Sequence, residues 1–275
     1  MKKIILLLAI ITLFSCKKET SNNYFLEESQ GLKIGGTKMI TIETPKGKFQ
    51  VWTKRIGNNP KIKLLLLNGG PGMSHEYFEC IESFLPKEGI EFIYYDQLGT
   101  GFSNNPNDTT MWDLPRYVEE VEQVRTALNL DKDNFYLLGH SWGGILAMQY
   151  ALKYQNNLKG LVISNMMASC PKYGEYSKVL EKQMNPNVLK TIKELESKKE
   201  YANPKYMELL MSNFYNQHIL RLPVKDWPEP VNRAFSRLNQ SLYITMQGPS
   251  ELGIDRKSTR LNSSHRNTSR MPSSA

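Results

Sequence analysis

Five residues, Gly139-His140-Ser141-Trp142-Gly143, carry the strongest chemical signal in the sequence. A serine hydroxyl is presented as a nucleophile when a sharp turn between a strand and a helix holds it clear of both elements. Such a turn closes only if the flanking positions are small. Phe135 to Leu138 reads as the strand ahead of the turn and Trp142 to Tyr154 as the helix behind it. Gly139, Gly143 and Gly144 therefore fall where the two elements must approach. Acyl transfer to Ser141 also needs donors for the oxyanion of a tetrahedral intermediate. One is expected from the backbone N–H of Trp142, at a helix N-terminus that favours developing negative charge. The second is expected from Gly70, in the run Asn68-Gly69-Gly70-Pro71-Gly72 that ends the aliphatic stretch Ile62 to Leu67.

These residues need a scaffold. Lys38 to Glu43 and Lys48 to Arg55 alternate apolar and polar residues about Pro45-Lys46-Gly47, which predicts a β-hairpin. Ile62 to Leu67 is unbroken aliphatic sequence, as in a strand buried on both faces of a parallel sheet. Tyr77 to Leu85 predicts a short helix, and Ile90 to Tyr95 a strand ending at Asp96. Asp113 to Leu130 predicts a helix with Val118, Val121, Val124, Ala127 and Leu128 at helical spacing. Asn134 to Leu138 and Leu158 to Ser164 predict two further strands. The alternation implies an α/β fold, a mostly parallel sheet with helices on both faces. From residue 172 the chain turns helical in tone, punctuated by Pro186, Pro204, Pro223, Pro228 and Pro230, and the Lys/Glu-rich stretch Leu189 to Glu200 reads as a solvated helix face. The expected organisation is a core over 31–171 and an inserted helical cap over 172–254. A tail follows over 255–275, rich in Ser, Arg and Asn and without hydrophobic period. That tail resembles adapter read-through and is expected to be non-native.

The motifs together resemble a known family. Asn68 to Gly72 resembles the His-Gly-Gly-Pro-Gly loop of proline iminopeptidases, serine peptidases of the α/β-hydrolase superfamily. Asp96-Gln97-Leu98-Gly99-Thr100-Gly101-Phe102-Ser103 resembles their Asp-Gln-Arg-Gly-x-Gly-x-Ser segment, and Gly139 to Gly144 their Gly-Gly-Ser-Trp-Gly-Gly elbow. Met246-Gln247-Gly248-Pro249-Ser250-Glu251 resembles the cap segment whose Glu binds the substrate's free amino terminus. Asn68 in place of His and Leu98 in place of Arg are departures from the pattern. The resemblance implies release of an N-terminal residue, often proline, from a small peptide, with Ser141 as nucleophile, Gly70 and Trp142 as oxyanion donors and Glu251 as the amine ligand.

A triad in this fold runs Ser, then Asp or Glu, then His. His75 precedes Ser141, His140 adjoins it with its ring directed elsewhere by the elbow, His218 falls in the cap and His265 in the tail. Asp226 is a cap residue and Asp255 opens the tail. The expectation is a chain truncated at its C-terminal side, lacking the second half of the sheet and the catalytic Asp and His, with little activity of its own.

Composition narrows the remaining classes. With 40% hydrophobic residues in 275, the chain is expected to be globular. The formal charge is +8, but the tail holds five Arg/Lys against one Asp, and Lys2 and Lys3 add two more. The body is thus nearly neutral and no nucleic-acid partner is expected. Lys2-Lys3, the apolar run Ile4 to Phe14, and Leu13-Phe14-Ser15-Cys16 resemble a bacterial lipoprotein signal. This predicts a signal peptide over 1–16, lipidation at Cys16, a tether over 17–30, and an exported protein anchored at the periplasmic or cell-surface side of a membrane. Cys80 and Cys170 are expected to be small buried hydrophobes. No metal-ligand spacing is present, and Gly99-x-Gly101 lacks the third glycine of a dinucleotide loop, so no cofactor is expected. The competing readings are an esterase, lactonase or amide hydrolase of the same fold, and a non-catalytic lipoprotein binding module.

Overall fold

A computed structural model describes residues 34–253, Ala168 excepted. The lipoprotein-like N-terminus with Cys16, the whole tether over 17–30 and the tail with Asp255 and His265 lie outside the described residues.

Among the described residues six strands form one sheet in the order β1-β2-β4-β3-β5-β6. β1 (Ile34–Thr44) and β2 (Gly47–Ile56) make the expected antiparallel hairpin, and β2 pairs antiparallel with β4 (Glu91–Asp96). β3 (Lys63–Leu67) pairs parallel with β4 and β5 (Phe135–His140), and β5 with β6 (Gly160–Ser164). The sheet is therefore mixed and mostly parallel, and every parallel strand delivers its C-terminal end to the same edge.

Both faces of the central strands β3 and β4 are covered. Leu65 and Leu67 of β3, with Ile93 and Tyr95 of β4, enter the main core beneath α1 (Leu114–Ala127) and α2 (Trp142–Tyr154). Leu64, Leu66, Phe92 and Tyr94 point the other way and pack with Phe78. The unbroken aliphatic run thus has the physical cause the sequence implied: alternate side chains serve two cores. Each fully buried leucine contributes about 2 kcal/mol. At the N-terminal ends of β3 and β4, away from the edge where the elbow lies, buried Glu91 is flanked by Lys63 at 3.4 Å and Arg55 at 3.7 Å.

The helix expected over Tyr77 to Leu85 is instead two 3-10 segments, His75–Ile81 and Leu85–Glu88, the second with Pro86 in its first turn and closed by Gly89 in the left-handed region. Cys80 corrects a second expectation. It is exposed, because it lies on the outer side of the first segment, while Cys170 is buried.

Beyond β6 come α3 (Cys170–Glu181), α4 (Pro186–Ser197) and α5 (Pro204–Leu210), the last continued by a π turn at Met211–Tyr215 into α6 (Asn216–His218). α7 (Glu229–Ser236) and α8 (Gln240–Met246) follow. Asn185, Asn203 and Asn239 cap α4, α5 and α8 with their side chains. These helices share a core of their own built on Ile192, Tyr206, Leu210, Phe214 and Trp227. α4 is more than a solvated face, since Ile192 and Leu195 are buried in that core.

Within the described residues β6 is an outer strand, and Leu161, Val162 and Ile163 on it are 41%, 44% and 38% exposed. An apolar edge of this kind templates pairing between chains. Val162→Lys is expected to reduce concentration-dependent association in sedimentation velocity while leaving the circular dichroism of the fold unchanged.

Candidate active site

Ser141 sits between β5 and α2 with φ 53° and ψ −126°. A non-glycine residue there is strained by about 1–3 kcal/mol and persists only when its surroundings impose it. The surroundings are visible. A Cβ on Gly139 would collide with the Gly143 carbonyl, and one on Gly143 with the carbonyl oxygen of Leu67. Ser141 N–H donates to Ser164 O at 3.0 Å, and Gly144 N–H donates to Ser141 O at 2.7 Å. As the residue ahead of α2, Ser141 leaves the Trp142 amide in a first helical turn, where no intrahelical acceptor exists.

The loop after β3 lies against this turn: a Cβ on Gly69 would lie 2.9 Å from Ser141 Cβ and 3.4 Å from its Oγ. Gly69 N–H donates to Tyr77 Oη at 2.7 Å, so that amide is committed. Tyr77 Oη lies 3.0 Å from His140 Nδ1. Burial pushes the Tyr77 phenol up and the His140 imidazole below its ordinary value. Near neutral pH the pair is therefore a phenol donating to a neutral imidazole. Gly70, with φ 113°, carries the next amide of the loop.

A second tie lies deeper. Buried Gln97 donates through Nε2 to the backbone O and the Oδ1 of Asn68, both at 3.2 Å, and its Oε1 accepts from the Trp142 indole at 3.0 Å. Asn68 Nδ2 donates onward to Met73 O. The loop and the elbow are thus joined by Tyr77 and His140 at one point and by Gln97 at another.

The described histidines are all engaged away from Ser141. His75 Nδ1 lies 2.9 Å from Asp96 Oδ1, and its ring stacks on Trp52 with centroids 4.4 Å apart. His140 is held by Tyr77, and His218 packs on Phe214 at 4.7 Å. Among the described residues no hydrogen bond reaches Ser141 Oγ.

Glu251 is gripped by three neutral donors. Tyr173 Oη reaches it at 2.6 Å, Tyr243 Oη at 3.0 Å and Gln247 Nε2 at 2.8 Å. Among the described residues no cation lies within ion-pair distance of it. Burial and the Glu251 charge push both phenols up, so they stay protonated donors. α8 rests on the main core through Leu242 and Met246 and turns Tyr243 and Gln247 to the carboxylate.

A family model described as the alpha/beta hydrolase fold matches residues 63–245. The proline iminopeptidase of Flavobacterium johnsoniae is 60% identical over 217 residues, covering 78% of this chain and 72% of that one. That of Elizabethkingia meningoseptica is 60% identical over 216 residues, with the same two shares. The chain belongs to the proline iminopeptidase family of α/β-hydrolases. Among solved structures it is similar to VinJ, with TM-score 0.72 and 27% identity over 81% of this chain and 75% of that one. The proline iminopeptidase of Mycobacterium smegmatis gives TM-score 0.66 and 28% identity, over 80% and 74%.

Within this proline iminopeptidase-family chain the departures at 68 and 98 have plain structural settings. Asn68 is buried between Gln97 and Met73, and Leu98 is buried in the main core with its N–H donating to Glu120 at 2.8 Å. Sequence reasoning missed Tyr77, Gln97, Tyr173, Tyr243 and Gln247. Gln97 and Gln247 fall within motifs that assign them no role, and nothing in the spacing of Tyr173 links it to Glu251, 78 positions away.

Gln97→Leu would leave the Trp142 indole and Asn68 buried without their partner. It is expected to lower the stability of the described fold by about 2 kcal/mol, measured by urea unfolding; a loss within the error of the parent would remove Gln97 from its bridging role.

Proposed function

We propose that this chain is the scaffold of a serine aminopeptidase that releases an N-terminal residue, proline by preference, from short peptides through an acyl-enzyme on Ser141. The helices α3 to α8 are read as belonging to the 172–254 cap over the 31–171 core. The observation that carries the reading is Glu251, a carboxylate satisfied by three neutral donors. A free ammonium supplies the missing opposite charge, and charge-assisted bonds of this kind are roughly twice as strong as neutral ones. Selection for a free N-terminus follows, which an esterase pocket does not require.

In this reading Ser141 Oγ attacks the carbonyl of the first residue. The oxyanion is received by the amides of Gly70 and Trp142, the amine of the second residue leaves, and water hydrolyses the ester. Gly69 lying against Ser141 supports the placement of the loop donor. A base must take the Ser141 proton, and each described histidine is held elsewhere. The turnover expected of the 275-residue chain is therefore low.

Binding separates substrate recognition from turnover. By calorimetry, prolinamide is expected to bind the chain and N-acetylprolinamide to bind at least about tenfold more weakly, with Glu251→Gln erasing the difference. Equal affinity for the two ligands would overturn the aminopeptidase reading. Separately, release of arylamine from a prolyl-arylamide is expected to match the Ser141→Ala background; robust turnover above it would overturn the reading of low activity.

The sequence also supports attachment to a membrane surface by a lipid on Cys16, behind Lys2-Lys3 and the apolar run Ile4 to Phe14. In a bacterial host fed labelled palmitate, the chain is expected to take up label and Cys16→Ala to take up none. Equal labelling of both would count against the anchor.

A further inference from the structure

The 3-10 segment after the Gly70 loop is tied to the cap by charge. Glu76 lies two residues past Ser74 and its side chain is only 1% exposed. Its carboxylate accepts from Ser74 Oγ at 2.8 Å and faces Arg233 Nη1 at 3.2 Å and Arg237 Nη1 at 2.8 Å. Arg233 extends the network to Glu79 at 2.8 Å and to Glu229, on its own helix, at 2.9 Å. A buried carboxylate is tolerated when such partners surround it, and removing one is strongly destabilising.

The next turn of the cap touches the loop itself. Asn239 N–H donates to Gly72 O at 3.0 Å, and Asn239 Nδ2 donates to Gly99 O at 2.9 Å. The backbones are so close that a Cβ on Gly72 would lie 2.8 Å from Asn239 O. Asn239 caps α8, and α8 carries Tyr243 and Gln247, two of the three donors to Glu251.

We propose that Arg233 and Arg237 are positioning residues for the oxyanion loop: by holding buried Glu76 they seat the α7–α8 segment on Gly72, so that the loop is ordered only while the cap is docked. The inference rests on the reading of Gly70 as an oxyanion donor. It adds that the amine pocket at Glu251 and the loop beside Ser141 are mechanically joined through one short stretch of cap, Glu229 to Gln247. A cap that lifts to admit a peptide would loosen the loop, and one that settles on the bound amine would restore it.

Hydrogen–deuterium exchange of the full chain tests this without turnover. Arg233→Ala is expected to speed exchange about tenfold in both 68–76 and 240–247 while β5 keeps its parent rate. Arg233→Lys, which keeps the charge, is expected to restore most of the protection. Glu229→Gln, which removes only the exposed arm of the network, should leave 68–76 unchanged. Faster exchange in 240–247 with 68–76 at its parent rate would overturn the coupling, as would no change in either segment. Should Arg233→Ala speed β5 as well, Glu76→Gln decides by the same comparison. A negative result would remove the coupling and leave the reading of Ser141 and Glu251 standing, because neither enters the measurement.

Discussion

The carbonyl oxygen of Leu67 occupies the space that any side chain at position 143 would need. That single close approach presses the start of α2 onto the end of β3. With Gly139 meeting the Gly143 carbonyl in the same way, the turn at Ser141 has no room to relax out of its left-handed φ. The strain at Ser141 is small beside the packing that imposes it, since β3 and β5 lie between two buried apolar layers. The placement of the hydroxyl is therefore a property of the sheet and does not depend on a flexible loop.

The neighbouring loop is placed differently. Asn68 to Ser74 has little apolar packing of its own, and polar contacts define its shape. Tyr77 Oη accepts from the Gly69 amide, Gln97 Nε2 donates to both oxygens of Asn68, and the Asn239 amide donates to the Gly72 carbonyl. In a dry interior each such bond matters more for what its loss would leave unpaired than for its own strength. Apolar packing holds Ser141, and hydrogen bonds hold the loop beside it.

This division explains what the sequence disclosed. The elbow was legible because sterics dictate glycine at fixed offsets from Ser141, and local spacing is what a sequence records well. β3 was legible from its unbroken aliphatic run, since its alternate side chains had two cores to fill. The 3-10 segments after Ser74 were not, because Tyr77, Phe78 and Ile81 carry a spacing that a short α-helix would share. Exposure of Cys80 was missed for the same reason, its face being set by that turn geometry. Partners distant along the chain were invisible: Tyr173 and Glu251, Glu76 and Arg233, and Gly72 and Asn239 meet only once the helices fold back. Family likeness supplied Glu251 without its donors, and the donors give its carboxylate a physical setting.

The phenols of Tyr173 and Tyr243 have a consequence for how the surroundings of Glu251 behave in alkali. Burial and the adjacent carboxylate keep both hydroxyls protonated well above the ordinary tyrosine range. Ionising either would set two negative charges side by side away from water. Both phenols therefore stay hydrogen-bond donors to Glu251 from neutrality far into the basic range. Under the proposed reading, an alkaline decline in binding would report the amine ligand losing its own proton and not a change in these donors.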